Sequence, residues 1–347
     1  MVNKRKKIVI CCHGAFNYIK NKTGNMLLRY RPDEVVAIID QTKAGITSND
    51  ELGYGGNTPV VTSFKECKNL DPDTLVIGNA SQGGFISPEN RIEVVDAINY
   101  GCDIISGMHQ FLGDDKEFQE LASANHVTMT DLRRPPDPPR FSKGSWRKRK
   151  IPVLLIVGTD CDTGKMTTAW EISERMKSNG RKVEFIGTGQ TGILLSGAGI
   201  PIDAVKADFM SGEIEHEIDQ LPSDTELVIV EGQGSLTNQY YAGVTLGLVH
   251  GAMPDYMIMT HDPSRPEDVT DYPMASMKFV MDLHVDLMKH FKASKFVGIN
   301  LLTVKLSESE AKAQIQRTAE KFNLATTDLV RFGNMDFIDA IEKEIYS

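Results

Sequence analysis

The sequence predicts an α/β protein made of two parallel-sheet domains. Three observations carry this expectation. Short apolar runs alternate with helix-like stretches, the pattern of strands joined by crossover helices. A Pro-rich and then strongly basic stretch, residues 133–150, interrupts the alternation and cannot form a regular element. A glycine-rich turn closed by Gly164-Lys165 follows one of the apolar runs. At 347 residues the chain suits two domains, given about 100–200 residues per domain.

Composition narrows the function classes. With 41% hydrophobic and 24% charged residues, the chain reads as an ordinary globular protein. A net charge of −9 argues against nucleic acid as a partner. No uninterrupted apolar run approaches the roughly 18 residues of a membrane span, so no membrane partner is expected. The start Met1–Lys7 resembles a signal-peptide n-region, but the apolar stretch after it, Ile8–Cys12, stops at His13-Gly14 and reads better as a first strand. Cys11, Cys12, Cys67, Cys102 and Cys161 are odd in number and lack C-x-x-C spacing, which suits a reducing cytoplasm and gives no zinc site.

Residues 1–132 read as a Rossmann-like domain. Lys7–Cys12 and Glu34–Ile39 are apolar strands, the second followed by Asp40, near where a ribose-binding acid often sits. Thr74–Gly78 and Asp103–Ile105 are two further strands. Between them Ser87-Pro88-Glu89 supplies a cap, a first-turn proline and an early acid for a helix over Glu89–Tyr100. Gly78, Gly83 and Gly84 shape a turn in which Asn79 and Ser81 face a ligand. The first turn, Cys12 to Asn17, is not G-x-G-x-x-G, so NAD is not expected.

Residues 133–150 form the linker. They read either as a solvated connection or as cations, Arg133, Arg134 and Arg147–Lys150, that border a phosphate site.

Residues 151–347 form the second domain. Val153–Val157 is a strand, Ala169–Lys177 a helix, and the turn between them has the geometry of a P-loop. Gly158, Thr159, Asp162, Thr163, Gly164, Lys165, Met166, Thr167 and Thr168 are the expected phosphate-binding residues. Backbone N–H groups and the positive helix end hold the anion, and Lys165 adds a point charge. Five residues, not four, separate Gly158 from Gly164, and Met166 stands where Ser or Thr ligates Mg²⁺. A metal hydroxyl would then come from Thr167 or Thr168.

Later strands bring further polar residues to the same edge. Glu226–Val230 is a buried strand whose end presents Glu231, a metal or water ligand, followed by Gln233. Lys182–Ile186 ends at a polar turn with Thr188, Gln190 and Thr191 facing a ligand. Ser211 caps the acidic helix that follows it, with Asp208 facing the site. Tyr256–Thr260 ends at His261 and Arg265, and Phe296–Asn300 completes the series. His13 and His261 lie at strand ends and are the histidines to test; the others lack ligand spacing. Ser235 follows Gly234 without an identifiable base and is a poor nucleophile.

Two resemblances rest on these residues. Gly158-Thr-Asp-x-x-x-Gly164-Lys165 with Val230-Glu231-Gly-x-Gly is similar to the dethiobiotin synthetase-like branch of P-loop proteins. Gly158–Thr168, Gly187–Gly192 and Glu231–Leu236 together resemble more closely a family catalogued as a domain of unknown function. That family joins a Rossmann-like N-terminal domain to a P-loop NTPase-like C-terminal domain, and Met after the lysine is its own habit. The resemblance covers nearly the whole chain. It implies D-glutamate N-acetylation with acetyl-CoA as donor. For such a reaction Lys165, and Glu231, His261 or Asp160 near the strand ends as the base, are the catalytic candidates. A small amino acid is then the expected partner, and a homo-oligomer stays open. An ATP- and Mg²⁺-dependent ligase or kinase is the second reading, with Glu231 and Thr167 on the metal, and a non-catalytic nucleotide-binding regulator the third.

Overall fold

The structure, a computed structural model, describes residues 6–18, 20–79 and 84–347; Ser81 and Gly83 lie outside them. The chain divides into two compact units, Met1–Arg134 and Pro135–Ser347.

The first unit contains a six-stranded sheet formed by β1 (Ile8–Cys11), β2 (Val35–Ile39), β3 (Val60–Val61), β4 (Thr74–Ile77), β5 (Asp103–Ser106) and β6 (Met129–Asp131). Its order is β3-β2-β1-β4-β5-β6 and its pairings are parallel, with Val9 opposite both Ala37 and Leu75. Helices α1 (Lys22–Tyr30), α2 (Ser48–Leu52), α3 (Pro88–Tyr100) and α4 (Lys116–Asn125) complete it. Ser87 caps α3 through Asn90 N–H, with Pro88 in the first turn, as the sequence predicts.

Asp40 departs from a ribose-binding role. It is fully buried and accepts from Gly14 N–H at 3.0 Å, Phe16 N–H at 2.9 Å and Thr42 N–H and hydroxyl. Burial raises its pKa, but these hydrogen bonds outweigh it and leave the carboxyl below its usual range. His13 is also committed: one ring nitrogen meets Glu93 at 3.1 Å and the other accepts from Gln41 N–H. Both side chains tie loops together.

The second unit is a parallel sheet of β7 (Val153–Gly158), β8 (Val183–Ile186), β9 (Leu227–Val230), β10 (Tyr256–His261), β11 (Lys295–Leu301) and β12 (Thr326–Thr327), in the order β12-β11-β10-β7-β9-β8. Its helices are α5 (Lys165–Ser178), α6 (Gln190–Ser196), α7 (Ala207–Asp219), α8 (Ala242–Ala252), α9 (Met277–Lys289), α10 (Glu308–Phe322), α11 (Leu329–Phe332) and α12 (Met335–Tyr346). β7 is buried along its whole length, as a central strand covered on both faces must be. Its period of two splits the core: Val153, Leu155 and Val157 pack with α7 and α8 residues, Leu154 and Ile156 with α5 and α12 residues. Because β7 separates β9 from β10, the chain reverses its winding here, and such a switch point opens a crevice at the carboxyl edge.

Two expectations change. Ser211 lies inside α7, whose first residue is Ala207, and its hydroxyl donates to Gly247 O at 3.1 Å, so it caps nothing. Arg149, in the basic run before β7, also lies away from the P-loop. Arg133 donates to Gly107 O, and Arg134 pairs with Asp114 and Asp131. Arg149 bonds Ala252 O beside the amino end of β7, whereas the P-loop leaves its carboxyl end. Six strand residues at about 3.3 Å each separate the two.

Candidate phosphate site

The P-loop turn is shaped by what it cannot hold. A Cβ on Gly158 would stand 2.5 Å from Thr163 Oγ1 and 2.8 Å from Thr260 Oγ1, so only glycine lets β7 pass into the turn. Gly164 has φ +93° and precedes α5, a backbone that glycine adopts without strain. Helix α5 therefore starts at Lys165, four residues before the apolar periodicity of the sequence indicates. Its first-turn N–H groups point into the turn and supply the anion-binding end.

Lys165 is buried and its ammonium donates to Asp160 O at 2.5 Å, with Thr163 Oγ1 at 3.5 Å. Burial pushes its pKa down, and Cys161, Asp162, Asp160 and Glu231 oppose that. A dianion on the turn would thus meet a charge that lacks a full counterion. Thr163 shares a 2.7 Å hydrogen bond with Thr260, and Thr159 N–H donates to Thr260 O at 3.1 Å, so the turn is stitched to β10. Burial raises the Cys161 thiol to about 11, which keeps it un-ionised near neutrality.

Asp160 is the hub of the site and not a free base. It has no exposed surface. Its Oδ1 accepts from Asn238 Nδ2 at 2.7 Å, and its Oδ2 accepts from Val269 N–H at 2.8 Å and from Arg265. Arg265 also donates to Cys161 O at 2.8 Å. Arg265, a candidate substrate ligand, is thereby committed to the turn. One carboxylate ties the β7–α5 turn to the loops after β9 and β10.

Glu231 sits beside this turn, nearly buried. Its Oε2 accepts from Thr188 N–H at 2.9 Å and Gly189 N–H at 3.3 Å, and its Oε1 from Gln233 Nε2 at 3.2 Å. A Cβ on Gly192 would strike Oε2, and one on Gly232 would collide with Ile156 O and come 3.2 Å from Lys165 Cδ. Burial lifts the Glu231 pKa to about 7, with the two N–H groups, Lys165 and Gln233 pulling the other way.

The remaining candidates divide. Thr188 is fully buried and bridges Glu231 O and Gln233 Nε2, while Gln190 and Thr191 open α6 half-buried. His261 Nδ1 lies 2.9 Å from Thr159 Oγ1, and burial holds its pKa below the usual value. The Thr168 hydroxyl accepts from Asn300 Nδ2 at 2.9 Å and faces the core. Asp162 is exposed with φ +56°, and Met166 and Thr167 are half-buried. Asp208 is exposed in the first turn of α7. Ser235 is fully buried and bonds Thr237, not a base. Asn238 and Val269 carry no signal in the sequence that links them to Asp160, more than seventy positions away. Among the described residues no group of three metal-binding side chains forms a preassembled metal site, and no helix is long and apolar enough to cross a membrane.

Comparison with known proteins agrees with this two-domain fold. The family described as "Domain of unknown function (DUF1611_C) P-loop domain" matches residues 140–338, and its partner, "Domain of unknown function (DUF1611_N) Rossmann-like domain", matches residues 41–135. A protein of Tritonibacter scottomollicae named D-glutamate N-acetyltransferase is 38% identical, covering 90% of this chain and 91% of its own length. A second of that name, from a Pseudoalteromonas species, is 34% identical over 82% and 86%. The crystal structure of a DUF1611 family protein from Anabaena variabilis superposes with a TM-score of 0.91 at 31% identity, covering 97% of this chain and 99% of that one. With both of its domains matched, this chain belongs to the DUF1611 family.

Proposed function

We propose that this chain is an amino-acid N-acetyltransferase, with D-glutamate as acceptor and acetyl-CoA as donor. The observation that carries the reading is the pair of relatives named D-glutamate N-acetyltransferase, 38% and 34% identical over most of their length. The site's chemistry fits it. The glycine turn, the α5 amino end and Lys165 suit a pyrophosphate, which CoA carries, and such binding needs no γ-phosphoryl transfer.

Acetyl-CoA supplies the activated acyl carbon; the residues do the rest. Amine attack requires a neutral nucleophile, so the substrate ammonium must lose a proton. Glu231, with a pKa near 7, accepts it from the amine. The C–N bond then forms, the C–S bond breaks, and the sulfur leaves as the thiol, taking the second proton that the nitrogen gives up. His261, held neutral by burial, is the second candidate base. Asp160 holds the turn in place: it has no exposed surface and is ion-paired with Arg265, whereas Glu231 has no ion pair among the described residues and its pKa is raised.

One observation favours a different reading. An acid at the end of a strand beside the P-loop strand, as Glu231 is, suits Mg²⁺ and ATP chemistry, with Thr167 as the accompanying hydroxyl. The test is one assay with two channels: free thiol from acetyl-CoA with D- or L-glutamate, and ADP from ATP with Mg²⁺. Amino-acid-dependent thiol release without ATP supports the acetyltransferase. Substrate-stimulated ADP without thiol release replaces it with a ligase or kinase.

A further inference from the structure

We infer that Gln233 selects the amine of the acceptor: its side-chain oxygen holds the substrate nitrogen beside Glu231. This rests on the acetyltransferase reading and gives that site its substrate class, a primary amine.

The orientation of the Gln233 amide is fixed by its neighbours. Nε2 lies 3.1 Å from Thr188 Oγ1 and 3.2 Å from Glu231 Oε1. The Thr188 hydroxyl gives its single hydrogen to Glu231 O at 2.8 Å, so towards Gln233 it only accepts. A carboxylate oxygen likewise only accepts. Both neighbours require the amide nitrogen on their side, and the reverse orientation would set its oxygen against two acceptors. The backbone is held as well, because Gln233 O accepts from Thr245 Oγ1 at 2.7 Å. Gly189 leaves the amide its place: a Cβ there would stand 2.8 Å from Nε2.

With both Nε2 hydrogens engaged, Oε1 is what the side chain has left to offer. It accepts from no described group, yet it is not one of the buried unpaired polar atoms among the described residues, so it reaches solvent. Glu231 has its Oε2 filled by Thr188 N–H and Gly189 N–H, which leaves its Oε1 to meet a substrate proton. Nε2 stands next to both oxygens, 3.2 Å from Glu231 Oε1 and about 2.3 Å across the amide from Gln233 Oε1. One amine nitrogen can therefore hydrogen-bond the two oxygens together at about 2.9 Å each. An ammonium brings three N–H donors and satisfies both. A hydroxyl brings one hydrogen and satisfies one of them.

Glutarate, which is glutamate without its amine, isolates this contact. D-glutamate and glutarate are titrated calorimetrically into wild type, Gln233→Met and Gln233→Glu. Wild type should bind D-glutamate about tenfold or more tighter than glutarate. Gln233→Met, which keeps the length and removes both amide atoms, should lose most of that preference while binding glutarate within about twofold of wild type. In thiol release its KM for D-glutamate should rise about tenfold, with KM for acetyl-CoA unchanged. Gln233→Glu keeps an oxygen acceptor and loses the donor to Glu231, so it should retain the preference; it also carries the test if Gln233→Met does not fold. A merely structural role would make both variants fail alike towards both ligands, which would overturn the inference. So would a Gln233→Met protein that still prefers D-glutamate, or a Gln233→Glu protein that does not. Thiol release by a wild type without amine preference sinks this inference alone. A wild type that neither binds D-glutamate nor releases thiol with it sinks the acetyltransferase reading and this inference together.

Discussion

The side chain of Asn238 faces two ways: its amide donates to Asp160 Oδ1 at 2.7 Å, and its oxygen accepts from Tyr240 N–H at 2.9 Å and Tyr241 N–H at 3.2 Å. The loop after β9 is therefore hung on a P-loop carboxylate. With Arg265 and Val269 N–H, from the loop after β10, on the other oxygen, Asp160 sets where two loops stand around the phosphate turn.

Removing it should act first on stability. Asp160→Ala leaves Arg265 largely buried without its counterion, and breaking such a pair costs about 3 kcal/mol. Denaturant titration of the variant checks this. A variant of unchanged stability with lost turnover would instead make Asp160 the base.

Glu231 should govern the pH dependence of turnover. With its pKa raised to about 7 by burial, the base form accumulates above that pH, so kcat should climb through neutrality. Glu231→Gln should cost about 100-fold or more in kcat and flatten this limb. A pH–rate profile of both proteins is the measurement.

The same group should also tilt stability. Its folded pKa lies above its unfolded value near 4.5, so the folded state keeps the proton more tightly. Stability from this source is complete below about 4.5 and is lost as the pH rises to about 7. The difference is roughly 3 kcal/mol at full effect. Comparing the pH dependence of unfolding free energy between wild type and Glu231→Gln isolates it: the wild type should fall relative to the variant across that window.

Gly158→Ala should damage the turn while leaving every other side chain of the site in place. The added methyl would press on Thr163, Thr260 and Lys165 Nζ, the last at 3.1 Å. Loss of phosphate-ligand affinity together with a lowered Tm is the expected outcome, read by calorimetric titration and thermal unfolding.

Much of this architecture is legible in the sequence because parallel strands buried on both faces appear as unbroken apolar runs. β7, β9 and β10 are found within a residue or two for that reason. β12 is two residues long and leaves no such trace. The start of α5 is hidden because a P-loop helix begins in polar residues whose periodicity is set by the ligand site, not by the core. Glu231 and Lys165 are readable as strand-end and turn residues. The roles of Asp160 and Arg265 are not, since a carboxylate in a glycine-rich turn looks the same whether it faces a substrate or is consumed by loops arriving from 80 to 110 positions away. The basic run before β7 misleads by proximity: neighbours in sequence sit at opposite ends of a strand.

If the Gly158–Thr168 turn is the phosphate cradle of this protein, ligand affinity depends on Lys165. Calorimetric titration of CoA and of ATP with Mg²⁺ into wild type and Lys165→Ala tests it most directly. Wild type should bind at least one of the two ligands, and the variant, still folded by circular dichroism, should bind neither. Unchanged affinity in Lys165→Ala would contradict the assignment of the site.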